Sequence, residues 1–158
     1  MNETAWELVH PRCALERADD MKEVAAMLDA GETEVARDEI RWLLEGCSDF
    51  LQAHLALGEM ALAEGDVNLA RGHFGTAYQI GVKALRRVGL DRPLPYRRTA
   101  NRPFFEAGKG LVYCLVQLDR QRIAREVVEQ LLRCDPTDPL GVRALITGGE
   151  PPAPSCPA

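Results

Sequence analysis

Aromatic side chains make up only 6% of this 158-residue chain. That is too few for the aromatic-rich strands of a β-sandwich, while the abundance of Ala and Leu suits packed helices. No run of roughly 18 uninterrupted apolar residues occurs, so no membrane-spanning helix is expected and no membrane partner is assigned. The opening residues Met1 to Glu7 are acidic, without a basic n-region or an apolar h-region, and no signal peptide is expected. No Cys-x-x-Cys spacing appears among Cys13, Cys47, Cys114, Cys134 and Cys156. The cysteines therefore read as small buried hydrophobes in a reducing, cytoplasmic compartment, without disulfides or zinc. His10, His54 and His73 are too far apart to share a metal, and no phosphate-binding glycine loop is present. Cys114 has no histidine near it in sequence. No catalytic, cofactor-binding or metal residue is expected, and no enzyme activity.

What is present is helical periodicity. Between Leu51 and Ala84, Ala53, Leu57, Met60 and Ala61 recur at three and four residues. Val67, Ala70, Phe74, Ala77 and Tyr78 do the same after Gly65-Asp66. Each set falls on one helix face. Gly58, Ala61 and Ala70 leave room for two backbones to approach, with Phe74 filling the groove between them. An isolated hairpin of this kind cannot bury its outer face and needs neighbours. One lies upstream: Gly31, Ala36, Ile40 and Leu43 precede Gly65, Ala70, Phe74 and Ala77 at one constant offset, which marks an internal repeat. Leu15, Ala18, Met21, Val24, Ala25 and Leu28 form the partner stripe from Cys13 to Ala30, and Thr33 is the expected N-cap of the helix after it. A third copy follows the second at a longer offset, with Leu111-Val112, Ala124, Val128 and Leu131 in the corresponding places.

Leu57-Gly58, Ala61, Gly65, Ala70, Phe74 and Ala77 stand in the register of a tetratricopeptide repeat, which the central unit resembles. His54 replaces the family's Trp and Val82 its late Pro; Pro136 supplies that Pro in the third copy. The resemblance implies an all-α, right-handed α-solenoid of three hairpins with short capping helices. Its repeats span about 17–50, 51–84 and 105–138 within a domain over 17–146. Residues 1–16 form an N-terminal cap, with a short helix over 3–10 in which Trp6 and Leu8 cover the end of the stack. A closing helix covers 139–146, and a Pro-rich tail over 147–158 is expected to be disordered.

The resemblance also implies a concave groove lined by the first helix of each hairpin. By register it holds Met21, Ala25 and Leu28 from the first copy. Gln52, Leu55, Glu59 and Leu62 come from the second, and Glu106, Lys109, Tyr113 and Val116 from the third. The places of the family's carboxylate clamp hold Met21, Ala25, Ala56, Glu106 and Gly110, so chaperone-tail binding is not expected. The implied function is a non-catalytic adaptor that takes a peptide or helix of unknown identity. The alternatives are a self-associating scaffold and a small chaperone for an export or assembly client.

Charge is unevenly spread. Residues 1–80 carry 16 acidic and 6 basic side chains, and residues 81–158 carry 8 and 13. The insertion over 85–104 is Arg- and Pro-rich, and Arg86, Arg87, Arg92, Arg97, Arg98 and Arg102 form a candidate basic patch. Such halves attract each other, a second copy, or different partners. A pI near 5.3 argues against a dedicated nucleic-acid binder.

Overall fold

The computed structural model describes residues 5–87, 89 and 93–146, and every regular element among them is helical. In order these are α1 (Arg12–Glu16), α2 (Ala18–Asp29), α3 (Thr33–Gly46), α4 (Leu51–Ala63) and α5 (Val67–Arg86), then α6 (Arg102–Gln117), α7 (Gln121–Cys134) and α8 (Val142–Ile146). A 3₁₀ turn at Thr99–Asn101 leads into α6. Helices α2 and α3, α4 and α5, and α6 and α7 pack as successive hairpins; α5 lies against α6, and α8 rests on α6 and α7. Residues 1–4 and the expected tail over 147–158 lie outside the described residues.

The repeat is written in the backbone of the three hairpin turns. Gly31 and Gly65 adopt φ of +77° and +79°, and Asp119, at the matching corner of the third hairpin, adopts φ 58°. At each turn two N–H groups reach back into the helix just ended. Gly31, Gly65 and Asp119 donate to Leu28, Leu62 and Val116 at 3.0, 3.0 and 3.1 Å. Glu32, Asp66 and Arg120 donate to Met27, Ala61 and Leu115 at 2.9, 2.9 and 2.8 Å. This pair of bonds satisfies carbonyls that a helix end leaves open, and it needs a left-handed residue at the corner. The next helix is then anchored in register, with Ala36, Ala70 and Ala124 all fully buried. Asp66 caps α5 by accepting from the Leu69 N–H at 3.0 Å. Thr33 is not the N-cap of α3: that place is Glu32's, without a side-chain bond, and Thr33 is already helical.

Helix α4 separates two cores. Ala53, Ala56, Leu57 and Met60 join Val24, Ala36, Ile40 and Leu43 on one side. Leu51, Leu55 and Ala61 join the larger cluster built with α5, α6 and α7 on the other. Phe74 occupies the expected groove: a Cβ placed on Gly58 would meet its ring at 2.6 Å, and one on Gly110 at 2.7 Å. Two glycines on different helices thus make the slot that one aromatic ring fills. Gly81 gives Phe104 similar room, and Phe104 stacks on Tyr78 with centroids 5.3 Å apart.

Three further expectations are corrected. The stripe over 13–30 is broken at Arg17 into α1 and α2, leaving Leu15 exposed. Residues 5–11 contain no helix. They run as an irregular strap against the insertion, held by Asn101. That buried amide accepts from the Leu8 N–H at 2.8 Å and donates to the carbonyls of Trp6 and Pro95 at 2.9 and 3.0 Å. Trp6 N–H also donates to Pro93 O at 3.0 Å. Irregular backbone wins over helix here because the insertion, itself barred from helix by its prolines, offers carbonyls and an amide as partners. Finally, Cys13 and Cys47 form a disulfide, with Cα atoms 5.7 Å apart. Their separation in sequence hid a contact made when α1 folds back on the end of α3. This removes the cysteine argument for a reducing compartment.

Candidate functional site

Two cavities that share Glu59 and Glu106 are lined by residues of α2, α4 and α6. The first, about 420 Å³, is lined by Met21, Ala25 and Leu28 of α2 and by Gln52, Leu55 and Glu59 of α4, with Glu106 of α6. The second, about 360 Å³, is lined by Glu59 and Leu62 of α4, Glu106, Lys109 and Tyr113 of α6, and Leu140 and Leu145 beyond α7. Ten of the eleven expected groove residues therefore line these cavities; Val116 is half-buried against the core and does not. The residues are gathered because each contributing helix turns its core stripe towards its hairpin partner, which leaves the adjoining face to line the groove. Sequence periodicity missed Leu140 and Leu145. They arrive because Asp138, at φ 49°, turns the chain and caps α8 by accepting from the Val142 and Arg143 N–H groups at 2.8 and 3.2 Å.

Glu59 and Glu106 belong to both cavities. Desolvation holds both carboxyls above their ordinary range, and the charge of Glu106 adds to the effect on Glu59. Glu106 has partial relief from the Tyr96 hydroxyl at 3.5 Å and from Arg102 on its own helix. Glu59 makes no ion pair with any described residue. Lys22 lines the first cavity and Lys109 the second.

Three arginines of the candidate basic patch, Arg97, Arg98 and Arg102, have partners within the fold. Arg98 pairs with Glu7 of the strap at 2.9 Å. Arg102 lies over the Tyr96 ring at 5.5 Å and donates to the carbonyls of Tyr96 and Arg97 at 3.3 and 3.2 Å. Arg97 acts on Asp135. Burial would raise the Asp135 carboxyl, but hydrogen bonds from Thr137 and the Tyr96 N–H outweigh it and leave it below the usual range. Arg86 and Arg87 sit at the end of α5, and Arg92 lies outside the described residues. The insertion uses much of its charge to hold itself in place.

The other candidate groups are occupied structurally. His10 and His54 bond the carbonyls of Ala100 and Ser48, each at 2.8 Å. Burial, then the nearby His54 and Arg41, lowers the His73 pKa. Burial pushes the Cys114 thiol up to about 11, the wrong direction for a nucleophile. Among the described residues no cluster of His, Cys, Asp and Glu suits a metal ion, and no helix is long and apolar enough to cross a membrane. Compared with known proteins, the chain matches no family model, no curated protein and no solved structure.

Proposed function

We propose that the three hairpins form a right-handed solenoid of tetratricopeptide type and that the chain is a non-catalytic adaptor. It binds a peptide or helix of a protein partner along the α2–α4–α6 face. The observation that carries this reading is the continuity of the two cavities, lined by apolar side chains with a few polar groups. Such a trough accepts a segment by burying alternate or helically spaced anchors. The test is selection of binders from a random dodecapeptide library displayed on phage. Binding should be lost on filling the first cavity by Ala25→Trp and on removing the exposed ring by Tyr113→Ala, with melting temperatures unchanged. Binders indifferent to both changes overturn the reading.

A self-associating scaffold is the second reading. Val35 and Trp42 of α3 are 53% and 61% exposed, and their seven-residue spacing puts both on one face. Light scattering distinguishes the two: a scaffold whose acidic and basic halves dock gives oligomers that dissociate in salt, and an adaptor gives a salt-insensitive monomer.

A further inference from the structure

Resting on the adaptor reading, we infer that the groove selects a basic-centred segment: one whose Lys or Arg reaches between Glu59 and Glu106 while apolar residues on either side enter the two cavities. The inference comes from the order of groups along the trough. Leu28 and Leu55 supply apolar wall to the first cavity, and Leu62, Tyr113 and Leu145 to the second. The two carboxylates are the lining residues common to both, so any segment long enough to fill both cavities passes over them.

Charge complementarity then fixes the occupant's chemistry. Glu59 lacks an ion-pair partner among the described residues, and Arg102 and the Tyr96 hydroxyl reach only Glu106. Lys22 from α2 and Lys109 from α6 line one cavity each and pair with neither carboxylate. An uncharged or acidic segment would bury Glu59 against apolar surface with no compensating charge, and Glu106 with only the Tyr96 hydroxyl and Arg102, which is costly. A cation entering between them supplies charge-assisted hydrogen bonds and relieves their mutual repulsion. It also has ready acceptors on both sides, since one carboxylate comes from α4 and the other from α6. The basic side chain therefore sets the register of the segment, and the apolar cavities supply affinity.

The same dodecapeptide selection, run on the oxidised full chain, tests this separately. The expected result is enrichment of Lys or Arg at one position, flanked by apolar residues. Glu59→Gln with Glu106→Gln should then weaken the selected peptides about tenfold while leaving the melting temperature unchanged or higher. Replacing the peptide's basic residue by norleucine should produce the same loss against the native chain and little against the double variant. Apolar binders that respond to Ala25→Trp but not to the double Gln variant overturn the basic-centre inference and leave the groove standing. Binders indifferent to both Ala25→Trp and Tyr113→Ala overturn both.

Discussion

The first and second hairpins share a repeat, a turn geometry and a buried Ala–large–apolar series, yet they are held by different means. Helix α4 buries eight of its thirteen residues, whereas α2 buries only Val24 among its twelve. The central hairpin is sandwiched: α3 covers one side of α4, while α5 and α6 cover the other. The first hairpin has a neighbouring hairpin on one side only and leaves Val35 and Trp42 in solvent, as α1 beside it leaves Leu15. What packing gives the centre, a covalent bond and charge give the edge. The Cys13–Cys47 disulfide closes the N-terminal side, and Arg37 of α3 pairs with Glu64 at the end of α4. A repeat pattern therefore specifies shape more uniformly than it specifies stability, because burial depends on what stacks next.

The strongest way to break this comparison is Phe74→Ala. The ring is 2% exposed and fills the slot between Gly58 and Gly110, two glycines that cannot move inward to replace it. Denaturant unfolding should show a loss of about 3–5 kcal/mol, the range for a buried aromatic truncated in a rigid site. The loss should be the same in oxidising and reducing buffer. A loss below about 1 kcal/mol would mean that the centre is not packing-dominated, and the contrast with the edge would collapse.

The disulfide comes next. Cys13→Ser with Cys47→Ser, or chemical reduction, releases a loop closed over a 34-residue separation. The chain-entropy account gives a loss of about 2–4 kcal/mol for a native bridge of this length. Hydrogen exchange sharpens the test: protection should fall in α1–α3 and persist in α5–α7, which share the larger core. Uniform loss of protection would show that the edge and centre unfold as one unit and that the disulfide is not a local device.

These contrasts also mark what was legible beforehand. Ala36, Ile40 and Leu43, with their counterparts Ala70, Phe74 and Ala77 one repeat later, announced the second helix of each hairpin, because periodicity reports burial on a single element. Gly58 and Phe74 announced a close approach, since a missing side chain and a large one at those places complement each other. The groove residues, apart from Val116, followed from the register that the resemblance implies. What escaped depended on partners distant in the chain. Asn101 reads as an ordinary loop asparagine, yet it is fully buried and ties Leu8, Trp6 and Pro95 together. The strap lacks helix because its hydrogen bonds go to the insertion, and no local pattern in Ala5 to Pro11 encodes that. Leu140 and Leu145 joined the site through the turn at Asp138, a non-glycine residue in a left-handed conformation.

The smallest effect tests whether charge contributes at the edge at all. Arg37 reaches Glu64 across the hairpins and also Glu34 on its own helix at 2.6 Å. These bonds, the one to Glu64 foremost, hold its pKa above the ordinary arginine value. The arginine side chain is 18% exposed, but that of Glu64 is 47% exposed, so water and salt screen the pair. Arg37→Ala should therefore cost only about 0.5–1 kcal/mol, most of it absent at high ionic strength. Part of any residual loss comes from the arginine stem, which covers apolar surface, and Arg37→Met separates the two by keeping the stem. If Arg37→Met costs as much as Arg37→Ala, the ion pair joins α3 to α4 in fact. If Arg37→Met restores stability, the edge is held by the disulfide and its one-sided core, and the charges serve only to orient the two hairpins.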